Sequence, residues 1–459
     1  MRCLLALSIV LMSMASASAQ DVKVADKTIK QWSAALRSSE ARVRYKAVAE
    51  LYEHGADAAP LVKELIPLLK DPQAFIRRAT AQTLANCRGD AAPAVPALVA
   101  AMRDSDYWVR NLASAALTEI GESASEPLIK LLDDKDATTR YYAVMTINGL
   151  GLQSKDVIKA LVKSVKDSNP AVRQGSLFAL SKVETDDANV FTILGAALGD
   201  KEKQVRLSAA SILVGMGKDG AGALAKVVED KDAASRMLAL QALASLGDNI
   251  DEKGVNAMRK ALDDADPKVR QTATLAVANL GKTARELGGD KEMFQALAKL
   301  LAEKDVQLRR TAVYALGQIG GSDADEIKTI AGALKDTDAM VRSFTIQALA
   351  KNAKDTEVEE TRQMLSDHLI TTLQDKDRRV QFMAAQALTQ QGALAVASLV
   401  KVVEDGKGMQ RLWAAAILGE IGPGTFDAIA PLEKMAKEAN ADARRVATLA
   451  LQKIMGEVK

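Results

Sequence analysis

The sequence has 459 residues, with 61 basic and 59 acidic side chains and only 3% aromatic residues. So even a balance of charge argues against a chain built to grip nucleic acid or an anionic membrane surface. A composition led by Ala, Leu, Val, Lys and Asp argues against an extensive sheet, because these are mostly good helix formers and poor strand formers.

The first element in chain order is a leader. Arg2 is followed by an apolar stretch from Cys3 to Met14, and then by Ala15-Ser16-Ala17-Ser18-Ala19-Gln20. The small-x-small pattern of Ala17-Ser18-Ala19 predicts a secretory signal peptide over residues 1–19, cut after Ala19, and a secreted or periplasmic chain. The stretch is short of the roughly 20 apolar residues needed to span a bilayer, so no stable membrane insertion is expected. Cleavage removes Arg2 and Cys3. That leaves 61 − 1 = 60 basic residues against 59 acidic ones, and a lone Cys87 that cannot form an intramolecular disulfide.

From residue 20 onward a single repeating domain is expected. Its marker is a basic residue, usually after Val, with a small residue three positions on and an aliphatic one seven positions on. Val109-Arg110 leads to Ala113 and Leu117, Val205-Arg206 to Ala209 and Leu213, and Leu308-Arg309 to Ala312 and Leu316. The markers are Arg44, Arg77, Arg110, Arg140, Arg173, Arg206, Arg236, Arg270, Arg309, Arg342, Gln381, Arg411 and Arg444, spaced by 30 to 39 residues. A fixed period of this length is the signature of a stacked repeat.

Each unit reads as two helices. The second is announced four residues before the marker by Asp106, Asp136, Asp232, Asp266, Asp305, Asp338 or Asp377, or by Asn169 or Asn440, residue types that cap the free N–H groups of a first turn. Pro170 and Pro267 follow in the favoured first helical position. Glycines close the helix, as in Leu316-Gly317-Gln318-Ile319-Gly320. The first helix of the next unit is amphipathic, as in Pro127-Leu128-Ile129-Lys130-Leu131-Leu132. Two spacings of 39 residues mark insertions around Lys282–Lys291 and Lys351–Glu360, expected as loops on one face.

The Asp-x-x-Val-Arg segment, the Ala/Leu core positions and the closing Leu-Gly-x-Ile-Gly resemble HEAT repeats, in particular the short HEAT-like repeats named after phycobilisome lyases. The resemblance implies an all-α, right-handed armadillo-like superhelix of about 13 two-helix repeats over residues 20–459. It also implies an inter-repeat Asp/Arg ladder from Asp106, Arg110, Asp136, Arg140, Arg173, Arg206, Asp232, Arg236, Asp266, Arg270, Asp305, Arg309, Asp338 and Arg342, weaker where Gln381 and Lys407-Gly408 break the pattern. It is specific for fold and says little about activity. HEAT-like DNA glycosylases use a basic groove, which a balanced charge does not supply, and the phycobilin lyases carry no such leader.

Catalytic signatures are absent. His54 and His368 fall in different repeats, and Glu53-His54 is reversed and solitary, which does not match the repeated His-Glu pairs of di-iron HEAT-like enzymes. No phosphate loop, dinucleotide fingerprint or nucleophile elbow is present. No metal, no cofactor and no enzymatic activity are expected. The acidic turn Asp263-Asp264-Ala265-Asp266 could attract calcium, with capping as the simpler role.

The informative positions lie one, five and eight residues after each marker. At 100° per residue these point away from the core and toward the concave face. Of 3 × 13 = 39 such residues only Arg78, Arg310 and Arg445 are charged, where a 26% charged chain would supply about ten. The stripe holds Tyr141, Met145, Phe178, Met237, Tyr314 and Phe382, interleaved with Gln241, Gln271, Gln347 and Gln386. Two explanations compete: helices packed too tightly to admit charge, or a groove whose amides meet a peptide backbone while aromatics and Met hold its side chains. The expected function is a monomeric secreted or periplasmic scaffold for a protein or peptide partner. The alternatives are an accessory subunit of an envelope enzyme acting on a small molecule or polysaccharide, or that enzyme itself, and a plain structural spacer.

Overall fold

The computed structural model describes residues 23–183, 188–321, 323–355 and 359–456. The expected leader over residues 1–19, with Cys3 and the expected cut after Ala19, lies outside them. The described chain is an all-α solenoid of two-helix repeats, apart from a short hairpin pairing Lys23–Val24 with Lys27–Thr28. It divides into two compact units, through Ile212 and from Leu213. Among the described residues no helix is long and apolar enough to cross a membrane.

In the first unit the second helices of repeats 1 to 5 are Ala41–Glu53, Ala74–Asn86, Tyr107–Ile120, Ala137–Leu150 and Pro170–Leu180. In the second unit, those of repeats 7 to 13 are Ala233–Ser245, Pro267–Leu280, Val306–Ile319, Ala339–Asp355, Arg378–Gln391, Gly408–Ile421 and Ala441–Ile454. The positions three and seven after the marker form the core: Ala113, Leu117, Ala312 and Leu316 are fully buried. One repeat has too little apolar surface to bury alone, so each core exists only because a neighbour closes it. The hairpin closes the first repeat. It lies over Trp32, which is fully buried and donates its indole N–H to the Val24 carbonyl at 3.1 Å.

All nine Asp and Asn residues four before a marker cap their helix. Asp106 accepts from the Val109 amide at 3.0 Å, Asp136 from Thr139 at 2.8 Å and Asp305 from Gln307 at 2.7 Å. Asn169, Asp232, Asp266, Asp338, Asp377 and Asn440 do the same. Gly121, at φ 91°, ends the Tyr107–Ile120 helix in a conformation that favours glycine.

The ladder is built differently from the expected one. Its carboxylate is not the capping Asp but the acid two residues before it. The Arg140 fork grips Asp167 with Nε and Nη2, both at 2.7 Å, and Arg173 grips Asp200 likewise. Arg44 holds Asp71, Arg77 holds Asp104, Arg236 holds Asp264, Arg309 holds Asp336 and Arg342 holds Asp375. The remaining nitrogen of each arginine turns back to its own repeat: Arg173 Nη1 donates to the Asp167 carbonyl at 3.0 Å. Each such Asp also accepts the amide two residues on, as Asp167 does from Asn169 at 2.7 Å. One residue therefore joins three things: the arginine before it, the arginine after it and the turn between them.

The capping Asp does not carry the ladder because its position is fixed by its own helix, whose amides it already accepts. It reaches a neighbour only where a second arginine follows the marker. Arg78 binds Asp106 through Nε at 2.9 Å, and Arg310 binds Asp338 through Nε at 2.9 Å and Nη2 at 2.7 Å. Asp136, Asp232, Asp266 and Asp305 serve as caps. Arg206 bonds the Asp200 and Lys201 carbonyls. Two rungs are weak. Arg270 meets Glu303 only at 3.5 Å, and its buried Nε has no acceptor among the described residues. Arg110 has no carboxylate, because Arg103 has taken Asp134; its guanidinium lies 5.9 Å from the Tyr107 ring centre and 5.7 Å from that of Tyr142. At Gln381 the amide reaches only the Asp375 carbonyl, at 2.6 Å, and Arg411 pairs with Glu438 instead.

The first insertion is not a loop. It forms an extra helix, Lys282–Gly288, ahead of Asp290–Lys299. Arg285 explains why: it is buried, binds Glu326 at 2.9 and 3.0 Å, and also contacts Asp290 and the Gly320 carbonyl. Its four-way satisfaction fixes the helix against the next repeat. In the second insertion the Ala339–Asp355 helix extends to 17 residues, and residues 356–358 lie outside those described.

Two outcomes follow from these contacts. Burial alone would push Asp71, Asp167, Asp200 and Asp375 up, but their arginine and amide hydrogen bonds outweigh it and hold all four below the ordinary carboxylate range. Hydrogen bonds from Arg78 and Arg310 lower Asp106 and Asp338 to about 2. Groups lowered on folding stabilise fully above their unfolded pKa of about 4 and lose that contribution as pH falls through the folded values. Circular dichroism during acid titration should therefore stay level down to about pH 4 and fall between there and pH 2. Separately, Arg285→Met strands the buried Glu326 carboxylate and should cost about 3 kcal/mol. Arg285→Met with Glu326→Met should recover most of it, read as the urea midpoint.

Candidate binding face

The three stripe positions, uniform in sequence, are distinct in space. Position eight is where second helices touch: a Cβ on Gly317 would meet Ala348 Cβ at 2.9 Å, and one on Gly419 would meet Ala450 Cα at 2.7 Å. Except for Tyr52, every position-eight residue is buried or half-buried, so close helix packing accounts for its lack of charge. Position five is the reverse. It is exposed in every repeat except at Ala49 and Ala416, and no contact among the described residues requires it to be uncharged. Position one is mixed.

The residues singled out from sequence divide accordingly. Tyr141, Met237 and Gln271, at position one, are half-buried. Phe382, also at position one, is 60% exposed. Met145, Phe178, Gln241, Tyr314, Gln347 and Gln386, all at position five, are exposed. The amides divide in the same way. Asn111 and Gln174, at position one, bond within the repeat stack, to the Tyr142 hydroxyl at 3.0 Å and the Ser208 hydroxyl at 2.7 Å. The side-chain amides of Gln241, Gln347 and Gln386 make no hydrogen bond among the described residues and face outward, each with a donor and an acceptor free.

In the second unit, Gln347 and Gln386 line one cleft of about 340 Å³ with Gln390, Lys351, Met383 and Ile346. Tyr314 lies nearby in sequence order, its ring 6.4 Å from that of Phe344. In the first unit the face is richer in rings. Tyr45 and Phe75 meet edge to face at 5.3 Å, and Tyr107 and Trp108 at 5.4 Å.

Phe75, Trp108, Met340 and Met409 belong to this face and were not in the expected set. They stand two residues before the marker and are between 44% and 61% exposed. Their signal was available: position minus two lies seven residues before position five, so the two share nearly one azimuth on a helix.

The remaining chemistry-bearing residues are accounted for locally. His54 sits edge-on to Trp32 at 6.4 Å, and burial lowers the pKa of His368. In the acidic turn, Asp264 is held by Arg236, Asp266 caps the Lys268 amide, and Asp263 lies 3.8 Å from Lys299. Among the described residues no group of three His, Cys, Asp or Glu could hold a metal ion. Cys87 is buried, and burial raises its thiol to about 11. Iodoacetamide at pH 8 should therefore leave it unmodified in the native protein and label it fully in urea, as mass spectrometry would show.

The family model described as HEAT repeats matches residues 29–118, 125–213, 191–278, 255–350, 294–371 and 366–452. A search of curated proteins finds no match. Among solved structures, the chain is similar to the karyopherin Kap121p bound to the extreme C-terminus of the protein phosphatase Cdc14p, with 15% identity and a TM-score of 0.54 over 94% of this chain and 54% of that one. It is also similar to a Kap121p triple mutant, with 14% identity and a TM-score of 0.54 over 93% and 52%. The chain thus spans about half the length of these karyopherins, and at such identity the likeness is one of fold.

Proposed function

The chain belongs to the HEAT-repeat family, and from that premise we propose that it is a secreted or periplasmic scaffold whose second-helix face holds an extended segment of a protein partner. The observation that carries this reading is position five. It is exposed almost throughout, yet it holds Met145, Phe178, Leu275 and Tyr314 alternating with Gln82, Gln241, Gln347 and Gln386, and no Lys, Glu, Asp or Arg. Exposed helix positions free of packing constraints ordinarily carry charge. Apolar side chains offer area to a partner's side chains, and glutamines offer paired donors and acceptors to its backbone. The Kap121p structure with a bound protein C-terminus is in keeping with such use of the fold. The leader over residues 1–19 supports the compartment.

Photoreactive groups at positions 178 and 314, with position 130 on a first helix as control, test the reading in native envelope extract. The expected result is crosslinks to one defined protein from 178 and 314, reduced at least tenfold when Tyr141 or the other photoreactive site's residue is changed to Glu. Equal crosslinking from position 130 would overturn it.

A further inference from the structure

A cleft in the first unit lies on the other layer, between first helices. Its volume is about 740 Å³, within the usual range of ligand sites. One wall is the Lys155–Ser164 helix and the residues just after it, the other the Ala188–Ala196 helix. The floor is apolar: Ile158, Val162, Val165 and Ile193 are half-buried. The rim carries Lys155, Lys159 and Lys166, all exposed.

These lysines are not bridged as some others in the same layer are. Neighbouring first-helix segments are bridged elsewhere by opposite charges, Lys163 to Asp133 at 2.5 Å and Lys260 to Glu229 at 3.1 Å. Lys155, Lys159 and Lys166 have no carboxylate partner among the described residues. The described part of the facing wall, Ala188-Asn189-Val190-Phe191-Thr192-Ile193-Leu194-Gly195-Ala196, contains no charged residue; Glu184, Asp186 and Asp187, just before it in sequence, lie outside the described residues. The one acid at the cleft, Asp200, is held on both oxygens by Arg173. An apolar floor is thus left with positive charge along one edge and no free acid beside it among the described lining residues.

We infer that this cleft docks an amphipathic helix of a partner protein, its apolar stripe on Ile158, Val162 and Ile193 and its carboxylates against Lys155, Lys159 and Lys166. Spacing selects a helix over a single-headed amphiphile such as a fatty acid. Lys155 and Lys159 stand one turn apart on the helix, and Lys166 lies two residues past its end at Ser164; the row is on the order of 16 Å long, too far for one headgroup to meet all three. Acids at i and i+4 of a helix laid alongside match Lys155 and Lys159 by their shared rise, and an acid at i+11 reaches the end of the row at Lys166. Helix-in-groove recognition has this form, with apolar anchors giving affinity and flanking charges setting register. This surface is separate from the second-helix face and does not depend on the function proposed for it.

Two 18-residue helical peptides test it by fluorescence anisotropy on the full chain. Both carry Leu at one stripe; one has Glu at i, i+4 and i+11, the other Lys. The Glu peptide should bind at least tenfold more tightly than the Lys peptide and weaken as salt rises. The triple variant Lys155→Glu, Lys159→Glu, Lys166→Glu should reverse that preference, and Lys163→Glu should preserve it. Ala196→Trp, which fills the cleft without changing charge, should weaken the Glu peptide at least tenfold. Equal affinity for the two peptides, or a preference that survives the triple variant, overturns the proposal. Dodecanoate displacing the Glu peptide one for one also overturns it, assigning the cleft to a single-headed amphiphile.

Discussion

The structure of each unit depends on one interaction, the two-pronged grip of an arginine on the aspartate 27 or so residues ahead of it. Helix packing alone would let one repeat slide or rotate on the next, since rows of Ala and Leu offer many nearly equivalent registers. A planar guanidinium does not. It demands both oxygens of one carboxylate, and that carboxylate is held in place by the amide of its own turn. Arg173 and Arg342 are almost fully buried while doing this. Their value is therefore in orientation more than in net stability, because charges removed from water regain in pairing about what they lose in hydration.

Fixing the register has a consequence for the rest of the molecule. Once second helices are held at one offset, position eight faces the neighbouring helix, closely enough at Gly317 and Gly419 that a Cβ would clash, and position five points outward. The low-charge stripe seen in the sequence is thus two things superposed. At position eight charge is excluded by neighbouring helices; at position five it is absent where nothing excludes it. Only the second absence bears on recognition.

Local features were legible in the sequence, and inter-repeat ones were legible only in outline. The caps at Asp106, Asp136 and Asn440 are decided within four residues, so reading them needs no tertiary structure. The marker arginines and the core positions recur often enough to define the repeat. The ladder's acid was placed two residues too late, because a contact across 27 residues depends on how one turn is presented to the next. Lys282–Gly288 was expected as a loop, since nothing local announces that Arg285 will be enclosed by Glu326. Phe75 and Trp108 were visible in principle and were missed by counting three positions along a face that has more.

The missing fork at Arg110 bears on how the first unit responds to load. Repeats 2 and 3 are joined through Arg77 and Asp104, and repeats 4 and 5 through Arg140 and Asp167. Between repeats 3 and 4 the charged link among the described residues is the half-exposed Arg103 with Asp134, where water competes for the guanidinium, and a buried Nε–H of Arg110 is left without an acceptor among those residues. A tandem array pulled from its ends yields first at its softest joint. In this unit that joint lies between two aromatic-rich helices, Tyr107–Ile120 and Ala137–Leu150, so mechanical compliance is concentrated beside the rings of Tyr107, Trp108 and Tyr141.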